Sequence, residues 1–113
     1  MPVFYKKKAL KQAETHYMDS IPSGHPYIGP VSVHIEFSYP WRKAEPKKNR
    51  VDGRKWKNTK PDLDNSAKTL IDCLAKRGHF SDDAQIAELT VMKVWSDSPG
   101  TRIKIEPLDD YEQ

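Results

Sequence analysis

Between Val31 and Ser38 apolar and polar residues alternate strictly: Val31, Val33, Ile35 and Phe37 take one side, Ser32, His34, Glu36 and Ser38 the other. A period of two sends these sets to opposite faces of a strand, one for a core and one for water. Two other stretches follow a helical period. Ala67, Leu70, Ile71, Leu74 and Ala75 recur at i, i+3, i+4, i+7 and i+8. They predict a helix over Asp64–Arg77, with Asp64 or Asn65 as N-cap and Gly78 just past its end. Leu10, Ala13, Glu14 and Tyr17 predict an earlier helix from Lys6 to Asp19, stopped by Pro22, Gly24 and Pro26. That helix begins close to the first residue, which leaves little to precede it.

Glu88–Trp95 reads as a second strand, with Leu89, Val91 and Trp95 on one face and Met92 and Val94 on the other. Ser98, Pro99 and Gly100 turn the chain into a third, Thr101–Glu106, where Ile103 and Ile105 alternate with charges. These two strands are expected to pair as a hairpin. Asp82–Gln85 reads as a short capped turn, with Gln85 three residues after Asp82. Tyr39–Lys60 is expected to be a long connection, punctuated by Pro40, Pro46 and an Asp52-Gly53 turn. The polar tail 107–113 is expected to fray. The order helix, strand, long loop, helix, strand, strand predicts one α+β domain over residues 1–113. Its packing would be a small mixed sheet covered on one side by two helices.

Composition adds three constraints. Hydrophobic residues make up 36% of the 113, against a usual ~45–50%, so a second subunit is a natural source of further burial. Cys73 is the one cysteine, which leaves no intrachain disulfide and no cysteine-based zinc site and points to an intracellular, cytoplasmic protein. No apolar run approaches the ~18 residues of a membrane span.

Charge is the most uneven feature. From Arg42 to Lys60 nine basic residues (Arg42, Lys43, Lys47, Lys48, Arg50, Arg54, Lys55, Lys57, Lys60) stand against Glu45 and Asp52, a surplus of seven. The chain's net charge is +3, so the remainder carries −4. A basic face with an acidic cluster elsewhere suits contact with a polyanion. Trp41 and Trp56 lie among these cations, as strand-stacking sites require, although Trp41 is better placed to continue the Val31–Phe37 face into the core.

The acidic cluster brackets the Asp64–Arg77 helix. Asp62 and Asp64 precede it, two apart after Pro61; in extended backbone both carboxylates would face one ion while Leu63 turns inward. Asp82 and Asp83 return at its far end, where one supplies a third ligand and the other a cap. Hard oxygen donors of this kind suit Mg²⁺, with Mn²⁺ as substitute, and crowded carboxylates need such a cation to offset their repulsion. Lys68, one turn beyond Asp64, is placed to contact a phosphate. Asp72 and Lys76 continue its stripe and read as surface ion pairing. His34 and Glu36 share a polar strand face and read as solvent-exposed rather than as ligands. An EF-hand is excluded because a helix starts where its glycine and glutamate should stand, and no acidic-x-Lys triplet follows Asp62 as in restriction-enzyme cores. A metal-dependent site for cutting nucleic acid is the chemistry this pattern supports.

The segments KPDLDNSAKTLIDCL and GHFSDDAQIAELTVMKVW resemble the RusA family of Holliday junction resolvases, enzymes of DNA recombination and repair common in bacteria and their prophages. The likeness is strongest over Lys60–Trp95. It implies a homodimeric, Mg²⁺-dependent endonuclease that nicks paired strands of a four-way DNA junction, without a small-molecule cofactor. By position, Asp62, Asp64 and Asp83 would hold the metal, Lys68 would be the catalytic lysine, and Asp82 matches a frequent acidic residue. The basic loop, Trp56 included, corresponds to a region expected to contact DNA. Many relatives have a further strand and polar loop ahead of the first helix, whereas this sequence is expected to begin near that helix. A non-catalytic junction-binding module of the same fold is the second reading.

Overall fold

In the computed structural model, which describes residues 16–108, the most apolar strand takes the most protected place. β1 (Val31–Pro40) pairs along both edges, parallel with β3 (Ile86–Ser96) and antiparallel with β4 (Gly100–Pro107). The short β2 (Arg54–Trp56) adds antiparallel to the outer edge of β3, giving the order β2-β3-β1-β4. A parallel pair needs a long crossover. Here it holds a 3-10 turn at Lys47–Arg50, β2, helix α1 (Leu63–Lys76) and a second 3-10 turn at Asp83–Gln85.

The alternation in β1 survives as burial. Val31, Val33, Ile35 and Phe37 are all nearly inaccessible, and with Leu70, Ile71, Cys73 and Leu74 of α1 they form the core. Phe80, just past the helix, closes one end. Residues 16–20 are helical; Tyr17 and Met18 pack on the same side, and Ile21 is buried beside them. Helical packing is therefore on one face of a mixed sheet, and the fold is α+β. Each of these side chains contributes about 1.5–3 kcal/mol on burial. The remainder of the expected first helix, Lys6 to Thr15, lies outside the described residues, as do tail residues 109–113; Pro107 belongs to β4.

Four expectations need correction. The last two strands do not form a hairpin, because β1 lies between them. Strands two apart sit about 9.6 Å from each other at the usual ~4.8 Å spacing, and four Cα steps from Ser96 to Gly100 reach about 13 Å. The short connection can thus cross the end of β1, and doing so pairs both of that strand's edges. Secondly, Tyr39–Lys60 is not without structure: β1 runs through Pro40, and the segment carries the first 3-10 turn and β2. Gly53, at φ +77°, makes the expected turn between them. Thirdly, α1 starts earlier than predicted. Its N-cap is Asp62, so Asp64 stands inside the first turn, not in extended backbone. Gly78 does follow the C-cap Arg77, with φ +86°, and its N–H donates to Ala75 O at 3.0 Å. Trp41 is also absent from the core; it lies half-buried beyond β1, its Nε1 donating to Asp97.

Candidate active site

An open cleft of about 760 Å³ lies between α1 and β3. From the helix side come Asp62, Asp64, Lys68 and Asp72; Asp83 enters from the 3-10 turn. Ala67, Ile71, Leu89 and Val91 make an apolar floor, and Lys93 of β3 stands in the facing wall. The helix period explains the first set: Asp64, Lys68 and Asp72 are each one turn apart and so share a face. The structure thus gathers Asp62, Asp64, Lys68 and Asp83 in one place, approaching from the helix end and not from an extended strand. It adds Asp72, which the sequence pattern assigns to surface pairing although the same i+4 spacing already connects it to Lys68.

The adjacent aspartates diverge. Asp82 accepts a hydrogen bond from Ala84 N at 2.9 Å and forms a capping box with Gln85. That backbone bond, with the hydrogen bond shared with Asp83, holds its carboxyl below the usual range. Asp83 is pushed the other way, first by its hydrogen bond to Asp82, then by burial and the charges of Asp82 and Asp72. Asp82 therefore caps the turn while Asp83 faces the cleft. The turn is fixed by Gln85. Its Oε1 accepts from Ser81 N at 2.8 Å, and its Nε2 donates to Tyr27 O at 2.9 Å and to Gly29 O at 2.8 Å.

Four carboxylates around one cleft, with like-charge crowding visible at Asp83, are chemically fitted to a hard divalent cation. Asp62 meanwhile pairs with Lys60 at 2.9 Å, and Asp64 Oδ1 accepts from Asn65 N at 2.9 Å. Among the described residues, no three His, Cys, Asp or Glu side chains converge closely enough to hold an ion. His34 and Glu36 lie on the sheet's other face, where Arg54 and Arg102 each approach Glu36 at 3.3 Å.

The basic stretch divides into three groups. Lys43, Lys47 and Lys48 are exposed, the last two on the 3-10 turn with Arg50. Arg42 and Lys55 are directed to Glu45, whose side chain is only 1% exposed. Arg42 Nη2 stands 2.8 Å from it, Lys55 Nζ 3.0 Å, and Asn49 Nδ2 2.7 Å. Those three bonds, Arg42 first, hold the Glu45 carboxyl down at about 2. Lys57 is buried, its ammonium 4.0 Å from the Trp95 ring centroid and 4.9 Å from that of Tyr39. Burial, then the charges of Lys93 and Arg42, lowers its pKa. Strand parity separates the rest: Lys55 lies opposite Trp95, on the helix side, whereas Arg54 and Trp56 face the other way. Trp56 is 70% exposed with Arg54 beside its ring. Lys60 is exposed next to Asp62.

Among the described residues, then, a mixed sheet carries α1 on one face and an acidic cleft opens between them, an α+β arrangement. The family described as Endodeoxyribonuclease RusA matches residues 4–106, and the chain belongs to it. A protein of Lactococcus phage r1t named crossover junction endodeoxyribonuclease rusA is 45% identical over 51 residues. That stretch is 45% of this chain and 37% of the relative, so the chain matches well under half of the relative's length. No solved structure matches.

Proposed function

We propose that this chain is a divalent-metal-dependent endonuclease that resolves four-way DNA junctions. The observation that carries the reading is the shared cleft of Asp62, Asp64, Lys68 and Asp83. Family membership supports the same reaction class. Asp62, Asp64 and Asp83 would hold Mg²⁺, or Mn²⁺ in its place, with Asp72 adding negative charge alongside. A cation so held supplies an activated water and neutralises charge on the scissile phosphate. The chain's own contributions are distinct. Lys68 offers its ammonium to a non-bridging phosphate oxygen, where developing charge needs a donor. Asp82 keeps the turn in shape while Asp83 presents its oxygens.

Lys43, Lys47 and Lys48 are exposed cations of the loop, and they would meet the phosphate backbone of a junction arm. Paired nicks in opposing strands call for two sites, hence a two-fold homodimer. Its place would be with DNA in the cytoplasm of a bacterial host; among the described residues no helix is long and apolar enough to cross a membrane.

The test is incubation with synthetic four-way junctions and with linear duplex of the same sequence, with and without Mg²⁺. Cleavage confined to junctions and to Mg²⁺ supports the proposal. Junction binding without cleavage under any divalent ion would assign a binding module instead.

A further inference from the structure

One position on the inner face of β3 defies its alternation. Leu89, Val91 and Trp95 turn toward the helix side; Lys93 has the same parity and lies opposite core residue Phe37. A half-buried lysine at such a position is costly unless its ammonium finds acceptors. Lys93 finds two, and both are main-chain carbonyls: Thr59 O at 2.6 Å and Pro61 O at 2.7 Å. These carbonyls belong to the loop that delivers Asp62 to the N-cap of α1. The backbone adds a third tie nearby, Lys57 N donating to Lys93 O at 3.1 Å. Hydrogen bonds from an ammonium are about twice as strong as neutral ones, so a long side chain here spans from the sheet to the segment just ahead of the first carboxylate.

We propose that Lys93 is a positioning residue. It clamps the loop before α1 to the sheet, and so holds the segment that carries Asp62 and Asp64 at the cleft that Asp83 also lines. The inference rests on the metal-dependent reading above. It differs in sign from the alternative that Lys93 is merely a positive charge in the cleft wall. A bare charge would repel a bound cation, and removing it would tighten cation binding. A clamp that orders ligands favours the cation, and removing it weakens binding despite the relieved repulsion.

The experiment is Mn²⁺ titration of the full chain, followed by electron paramagnetic resonance, for wild type, K93M, K93Q and D64N. Circular dichroism melting reports whether each is folded. Lys93→Met keeps the stem while removing charge and donors. K93M is expected to raise the Mn²⁺ Kd about tenfold, as loss of a residue supporting metal ligands typically does. K93Q, which keeps one amide donor, should fall between; it carries the test if K93M does not fold. Mn²⁺ affinity in either folded variant equal to or tighter than wild type overturns the clamp while leaving the metal site intact. A wild-type chain with no Mn²⁺ site sensitive to D64N overturns both the metal reading and this inference.

Discussion

Lys55 Nζ lies 3.0 Å from the buried carboxylate of Glu45, closing the basic loop onto edge strand β2. Glu45 thereby occupies two of the loop's cations, Arg42 and Lys55, and leaves Lys43, Lys47 and Lys48 facing solvent. The loop's charge is therefore split between holding shape and meeting a ligand. Replacing Lys43, Lys47 and Lys48 together by alanine should weaken junction binding and flatten its salt dependence. The slope of log affinity against log salt should fall by about 2–3, at roughly 0.9 for each phosphate no longer neutralised. Lys55→Ala should instead lower the melting temperature with a smaller change in that slope. Equal slopes in the triple variant and wild type would remove the loop from the DNA interface.

The same carboxylate sets an acid limit on stability. Glu45 is held at about 2 in the fold, from an ordinary value of 4.5. With the folded value depressed, its contribution is fully present above pH 4.5 and is lost as pH falls toward 2. Melting followed from pH 6 to pH 2.5 should show wild type losing stability over that window. Glu45→Gln should be less stable than wild type at pH 6, the gap narrowing as the medium is acidified. A gap that stays constant with pH would mean that charge on Glu45 contributes nothing.

Gln85 offers a separate handle on Asp83. Its amide joins the Asp82–Asp83 turn to the carbonyls of Tyr27 and Gly29, so Gln85→Ala strands partners on both sides. Stability should fall by about 1–3 kcal/mol, read by denaturant unfolding. Cleavage should drop by more than junction binding does, since only the carboxylate's placement is disturbed. Gln85→Glu keeps the acceptor for Ser81 N but faces two carbonyls without a donor, and should be impaired likewise. Wild-type stability in both variants would contradict this account of the turn.

Periodicity makes the elements legible because burial obeys it: the inward residues of β1 and the stripe of α1 are the core. It cannot reveal neighbours, since alternation identifies a strand's faces and is silent on its edges; the expected β3–β4 hairpin fails for that reason. β2 is hidden by its three-residue length and its charged composition, Arg54-Lys55-Trp56. At the site, the aspartates and Lys68 announce themselves by spacing. Asp72 does not, because an i+4 row of alternating charge is the ordinary look of a solvated helix face. Lys93 carries a signal in the sequence, a lysine at inward parity between Val91 and Trp95, but its partners are backbone carbonyls that no side-chain pattern encodes. The fate of the basic run depends on one acid: Glu45 reads as a minor counter-charge until its burial shows which cations it holds.

The central claim is that the cleft of Asp62, Asp64, Lys68 and Asp83 cuts DNA junctions, and Asp64→Asn tests it most directly. The substitution keeps size and helix position while removing one negative ligand oxygen. Cleavage of a labelled four-way junction in Mg²⁺ should fall below detection, with junction binding in the absence of metal retained. Cleavage by Asp64→Asn at the wild-type rate would contradict the account.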